Sequence, residues 1–553
     1  MDDVKEHIHI PKLKQQLVEG RVDRREFLRT ATLLGMSAGA AYAFVGKATG
    51  RGIAPAARAA AMPKGGTLRL AMRVLDVKDP HTFSWVTDSN VARQVVEYVT
   101  KTGQDNITRP YLAESWSASD DLKTWTFKIR KGIKWHDGRE FTADDVIWNI
   151  KDCLDPETGS SVIGLMKGYM LNEVEKDGKK TTELWDANAI ERVDSHTFRL
   201  NAKQPQLAVP EHFFHYPFLI LDPEEGGKFG VGSNGTGAFD LVHHEIGKKS
   251  VLKARSDYWG DGPYLDSVEF MDLGDDPSAA VAALASKQVH GLYEASILSL
   301  STLKALPHLD IYQARTAQTA IVRGKVSMSP WKDPRVMRAF RLATDTPKLL
   351  QLAYRGLGDP GEHHHVAPVH PEYAKLPFMK QDIAAAKALL AEAGYAGGIK
   401  AKLDVNGSAK WEIDAAQGMK EQWKAAGIDL ELNVLPGAQF WEIWDKTPFG
   451  QTSWTHRPLG VMVLGLAYRS GAPWNESDFS NPEFDRLLSK AEGILDVDAR
   501  RKVMAKIETL MQHEGPIVQS LWRAVFTGMD KRVNGFKMHP TSYIFANELA
   551  LAT

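Results

Sequence analysis

The sequence predicts a mixed α/β protein built from more than one lobe. Three observations carry that expectation. The 553 residues are a quarter charged and 43% hydrophobic, an ordinary globular balance with enough chain for two or three packed units. Segments of apolar–polar alternation, which read as half-buried strands, are interleaved with segments of helical period. Turn and cap residues stand where one kind of segment gives way to the other.

In chain order, residues 1–61 come first and read as an address, a signal peptide to be removed. Arg24, Arg25, Phe27 and Leu28 precede an uncharged stretch from Thr30 to Gly46, and small residues crowd toward Ala57–Ala61. That is a charged region, a weakly apolar region and a cleavage site, in order. Gly35, Ser37 and Gly39 break the stretch, which is too short and mild for a membrane span. Paired arginines before Phe-Leu resemble a twin-arginine export signal, which would make the twin-arginine translocase a partner. The alternative is an amphipathic surface helix that happens to carry two arginines. No cysteine follows to take a lipid, so a free periplasmic protein is expected. Cleavage near Ala61 would take the net charge from −1 to roughly −5.

Next, Gly66–Met72 alternates as a strand, Asp79-Pro80 is a turn, and Val91–Tyr98 has a helical pattern. Trp125, Phe127 and Ile129 alternate with Thr124, Thr126, Lys128 and Arg130, a half-buried strand. Lys131-Gly132 and Asp137-Gly138 are turns. Thr142 stands three residues before Asp145, a capping box with Asp in the usual Glu place, and Phe141 with Val146 can staple the helix entry. Asn234–Phe239 is a glycine-rich passage into a strand. Arg335–Ala343 is helical. Asp382 caps a helix that Gly394 ends, and Asn481-Pro482 starts another. Asp498–His513 is a long amphipathic helix stopped by Gly515-Pro516.

Composition excludes several classes. A near-neutral chain offers no basic face for nucleic acid. One cysteine, Cys153, permits no internal disulfide and argues against a cysteine metal site. His363-His364-His365 with His370 looks like a metal cluster, but three adjacent histidines cannot face one ion from a regular element, and they read as a polar loop. His243-His244 has even less claim to a metal. Gly247-Lys248-Lys249-Ser250 lacks the earlier glycine of a phosphate loop, and Ser329-Pro330-Trp331-Lys332 lacks companion acyl-enzyme motifs. No catalytic residue, metal or cofactor is expected.

At this point the sequence resembles a known family, the periplasmic solute-binding proteins of peptide and nickel ABC importers, often called family 5. The resemblance rests on Ala113-Glu114-Ser115-Trp116, the block from Trp125 to Gly138, Phe141–Val146, Gly235–Phe239 and Tyr258-Trp259. It continues through Asp333–Val336 with Ala339-Phe340, Ala386–Leu390 with Ala393–Tyr395, and Asn481–Asp485. Each is weak alone; their order is specific. The resemblance implies a type II, two-lobed periplasmic-binding-protein-like fold of the large cluster with an inserted subdomain. Lobe I would comprise 62–100, 225–315 and 515–553, the inserted subdomain 101–224, and lobe II 316–514. It also implies a monomer that binds a peptide or another small organic solute in an inter-lobe cleft. Delivery would be to a permease and ATPase complex in the inner membrane. A binding protein that reports its ligand to a membrane receptor is the alternative role, and an exported periplasmic enzyme is a third.

In peptide-binding members of the family a tryptophan is followed three residues later by an aspartate that holds the peptide's amino terminus. The corresponding stretch is Ser453–Pro458, with Trp454 in place and Arg457 at the aspartate position. That reversal disfavours an ammonium and favours a carboxylate, phosphate or sulfate. The alternative is a loop shifted by a residue or two, with Arg457 facing solvent or paired with a nearby acid. His456, Tyr468, Trp474 and Asn475 are further candidates in this region. Trp85, with His81 and Phe83, and Asn234 with Thr236 are candidates in lobe I. For each of these, packing or turn formation is the competing role.

Overall fold

The computed structural model describes residues 6–49, 62–176 and 178–552. The chain divides into two compact units, Met1–Ala314 with Phe526–Thr553, and Arg315–Val525. The long strands Leu309–Gly324 and Ile517–Asp530 each carry the chain from one unit into the other.

In the first unit the strand expected over 66–72 spans Thr67–Ala71 and runs parallel to Ser267–Met271 and Gly291–Leu292. Its register sets Leu68 beside Val268 and Leu70 beside Phe270, and all four are buried. The hairpin Phe239–Glu245 and Lys249–Ala254 extends the sheet past Ser267–Met271. A second sheet is antiparallel, in the order Ala113–Ala118, Thr124–Ile129, Thr197–Asn201, Ile190–Asp194. Trp125, Phe127 and Ile129 are buried, as the alternation predicts, and Phe127 stacks on Phe198 at 5.1 Å. The helix Ala143–Leu154 follows, and Asp145 accepts from the Thr142 N–H (2.7 Å) and hydroxyl (3.2 Å).

The helix expected over Val91–Tyr98 is displaced: it is Val86–Ala92. Beyond Ala92 the carbonyls leave the helical ladder for the glycine-rich passage. Val95 O accepts from the Gly237 N–H (2.8 Å) and Gln94 O from the Phe239 N–H (3.1 Å). Space requires the glycines here, since a Cβ on Gly235 would stand 2.0 Å from Val95 O.

Residues 6–49, expected as an export signal, form three helices: α1 (Ile10–Val18), α2 (Arg24–Leu33) and α3 (Ala38–Thr49). The uncharged stretch breaks at Gly35, whose φ of +87° separates α2 from α3. The proposed cleavage stretch Ala57–Ala61 lies outside the described residues. Among the described residues no helix is long and apolar enough to cross a membrane.

In the second unit Phe449–Trp454 lies between Leu309–Gly324, antiparallel, and Ile399–Asn406, parallel, with Ile428–Leu435 beyond. Its core gathers Trp331, Phe340, Trp423 and Phe449 with Val322, Leu403 and Leu430. Trp331 stacks on Phe449 at 4.0 Å, and the Trp423 indole N–H reaches Thr344 Oγ1 (2.8 Å). The predicted helices are Pro334–Leu342, Ile383–Glu392, Pro482–Glu492 and Val497–Glu514. Asp333, Asp382, Asn481 and Asp496 cap their first turns.

Candidate functional site

Strand Phe449–Trp454 ends in the stretch that the sequence singles out, and antiparallel pairing holds Trp454 opposite Thr319. The Trp454 indole N–H donates to Glu476 Oε1 (2.9 Å). Glu476 Oε2 also accepts from Thr452 Oγ1 (2.5 Å) and Arg323 Nε (2.9 Å), an ion pair at 0% and 1% side-chain exposure. Trp474 meets the Trp454 ring nearly edge-on at 5.9 Å, and His365 does so at 5.5 Å. Tyr468, at the end of helix Gly460–Ala467, hydrogen-bonds through its hydroxyl to His365 Nδ1 (2.6 Å). The structure thus gathers Trp454 and Tyr468 around His365, with Trp474 against Trp454.

Arg457 is buried and turned back on its own segment, with Nη1 donating to Thr455 Oγ1 (2.5 Å) and His456 O (3.0 Å). Its carbonyl accepts from His370 Nε2 (3.1 Å). His456 Nδ1 accepts from the Ala317 N–H (3.0 Å). Asn475 closes the following loop, donating to Phe479 O (2.7 Å) and accepting from Ser477 Oγ and the Phe479 N–H.

The histidine run is a loop, as expected, but a buried one. Each of His363, His364 and His365 is at most 1% exposed. His363 and His365 have φ of +64° and +60°, which sends the rings in different directions. His363 Nδ1 accepts from the Gln519 N–H, and His364 Nδ1 from the Val366 N–H. Burial pulls His363 and His364 down to about 3 and His370 to about 4. Burial, then the disfavoured proximity of a second positive charge to His370, His364 and Arg457, pulls His365 well below its ordinary value. His363, His364, His365 and His370 are therefore neutral near pH 7. Among the described residues no group of three His, Cys, Asp or Glu side chains is placed to hold a metal.

On the first unit, Asn234 donates to Asp222 Oδ2 (2.6 Å) and Asp137 Oδ2 (3.1 Å), fixing the entry to the glycine passage. Thr236 donates to Glu97 Oε2 (2.9 Å). Glu97 is 2% exposed and also accepts from Tyr111, Tyr258 and Trp259 at 2.6–2.9 Å. Burial raises its carboxyl pKa, against the pull of those donors. Trp85 is half-buried at the head of Val86–Ala92. His81 bridges Asp152 Oδ2 (2.6 Å) and Leu219 O (2.9 Å).

The groups that sequence reasoning missed are Arg323, Glu476, His365 and Glu97. Two of them carry a signal in hindsight. Arg323 ends the apolar run Ala320–Val322, and Glu97 interrupts Val95–Val99. A charge inside an apolar strand or turn marks a buried pair or network.

An α/β chain of two units, linked by two strands and presenting a buried arginine among tryptophans and neutral imidazoles, has the make-up of a solute-binding protein. Residues 108–464 match the profile of the bacterial extracellular solute-binding proteins, family 5, middle region, and the chain belongs to that family. The periplasmic oligopeptide-binding protein OppA of Haemophilus influenzae is 26% identical over 477 residues, 80% of this chain and 85% of that protein. Two solved structures share the fold. The binding protein AgaA of A. tumefacien R10, in complex with agropinic acid, superposes with a TM-score of 0.78 at 20% identity over 88% of this chain and 99% of that one. DppA of Helicobacter pylori, in complex with the peptide STSA, gives 0.77 at 19% identity over 89% and 99%. The chain is the substrate-binding component of an ABC import system.

Proposed function

We propose that this chain captures a small organic solute bearing an acidic or neutral group beside Trp454 and Arg457, and delivers it to a permease and ATPase complex. The observation that carries this is Arg457, a buried guanidinium beside His365 and His370, two imidazoles that burial keeps neutral. A permanently charged, planar donor in such a place complements a carboxylate, phosphate or sulfate and repels an ammonium. The fold itself does not select the ligand, since proteins of this fold are seen with the peptide STSA and with agropinic acid. The protein works as a periplasmic monomer without catalysis, and Arg24, Arg25, Phe27 and Leu28 direct its export through the twin-arginine translocase.

The test is a thermal-shift screen of the protein against di- and oligopeptides, opine-like acids and sugar acids, repeated with Arg457→Ala. A ligand at a hundredfold excess over Kd adds about 2.7 kcal/mol to the folded state. Shifts with acidic compounds that Arg457→Ala abolishes are the expected result. Shifts with free-amino peptides that survive Arg457→Ala would overturn the anionic reading.

A further inference from the structure

The N-terminal segment is packed on the first unit, against Trp116 of the antiparallel sheet, Asp105 and Arg109, and Glu211, and the packing hides part of its own signal. Phe27 and Leu28 are 0% and 3% exposed, and Ala31, Leu33 and Leu34 are buried with them. Arg24 and Arg25 face outward at the head of α2. Phe27 stacks on Phe44 of α3 at 5.4 Å.

The contacts to the body are specific. The Trp116 indole N–H donates to Leu33 O (2.8 Å), closing the end of α2. Arg25 Nε donates to Asp105 O (3.0 Å), and Tyr42 donates to Asp105 Oδ2 (3.2 Å) while accepting from Arg109 (3.1 Å). Arg29, 3% exposed, makes a two-pronged pair with Glu26 (2.9 Å each) and reaches Glu211 Oε1 at 3.4 Å. Gly35 fits because it has no side chain: a Cβ there would stand 2.7 Å from Trp116 O. Glu211, on the short helix Val209–His212, lies some 95 residues beyond Trp116 in sequence, so this surface exists only once the two segments have assembled.

We infer that the first unit carries a docking surface for the chain's own N-terminal segment, and that docking withholds the Arg24–Leu28 signal from the export machinery until the segment is released. A receptor that reads the arginines together with Phe27 and Leu28 must first open the packed segment that buries those two side chains, Phe27 against Phe44 of α3. The inference rests on the export reading above.

Hydrogen exchange on the full chain tests the docking, and pulse-chase export tests its consequence. Two variants approach the contact from opposite sides: Gly35→Leu on the segment, and Trp116→Phe on the body. Exchange in Thr124–Ile129 reports that the body remains folded. In the parent, residues 24–33 are expected to be protected, and in each variant to exchange about tenfold faster or more. Both variants should shorten the export half-time several-fold. Free-peptide exchange of 24–33 in the parent would overturn the docking. Variants that release the segment yet export at the parental rate would overturn its role. The double substitution Arg24→Lys, Arg25→Lys separates the two readings. If export continues unchanged in that pair, the export reading fails and this inference with it. If the pair stops export while the docking variants leave its rate unaltered, only this inference falls.

Discussion

Glu476 receives three donors at once, from Trp454, Thr452 and Arg323, with essentially no solvent. Removing it strands the Arg323 charge inside the unit, and breaking a buried pair in this way costs about 3–5 kcal/mol. Glu476→Ala should therefore lower the urea midpoint sharply and weaken ligand binding through a loosened Trp454. A loss under about 1 kcal/mol would show that the pair contributes little. Glu508 makes a second prediction. Burial, then repulsion from Glu362 and Glu372, raises its carboxyl to about 9, against a backbone N–H from Ala374. A raised carboxyl contributes stability that is full below its ordinary 4.5 and is lost as pH climbs toward 9. The melting temperature of Glu508→Gln should thus fall less between those limits than that of the parent. Parallel curves would remove Glu508 from the account. Little of this was legible in the sequence. Trp454 and Arg457 were singled out only through the family resemblance, a tryptophan followed three residues later by the place of an aspartate. The partners that define Thr236 and Trp454 come from 139 and 22 residues away, and no local pattern announces them.

Helix starts were the most legible elements, because a cap is a local device. Asp382, Asn481 and the Thr142–Asp145 pair all act where the sequence placed them. Asp145→Ala should cost about 1–2 kcal/mol by denaturant titration, since the Thr142 N–H then loses its acceptor. The end of Val497–Glu514 was also legible from Gly515-Pro516, though not its closure by Arg341. That arginine collects the carbonyls of His513, Gly515 and Ile517 at 2.6–3.1 Å. The displaced helix Val86–Ala92 shows where local reading stops. Residues 93–98 have a helical pattern, yet the backbone of a segment some 140 residues later takes the carbonyls of Gln94 and Val95. A Cβ on Gly237 would come 2.5 Å from Gln94 O and 2.7 Å from Val95 O. Gly237→Ala should cost about 1–3 kcal/mol, an overpacking penalty that no side-chain motion can relieve because both neighbours are backbone. A melting temperature equal to the parent's would show that the passage can shift.

For the chain as a whole, the order of short motifs identified the family although each motif alone is common, because order over hundreds of residues reflects one topology. The sequence sets residues 1–61 apart as a segment of their own kind, but the packing of residues 6–49 was not legible in it. A weakly apolar stretch looks the same whether it meets a membrane, a receptor or its own protein. That packing gives the last prediction, drawn from charge and burial together. Cleavage near Ala61, as proposed, would remove the arginine beside Glu211 and leave the chain near −5. In the full chain, burial lifts the Glu211 carboxyl to about 7, with Arg29 pulling it down and Glu26 opposing. In a chain lacking residues 1–61, with water at Glu211, the carboxyl would return toward 4.5. A group raised in the docked form favours docking fully below 4.5, and the advantage is lost as pH rises through 7. The full chain should melt above the processed chain at pH about 5, and the gap should narrow by pH about 8. A gap that is constant across that window would show that Glu211 does not sense the leader. A gap absent at both ends would show that the packed leader adds nothing to the fold.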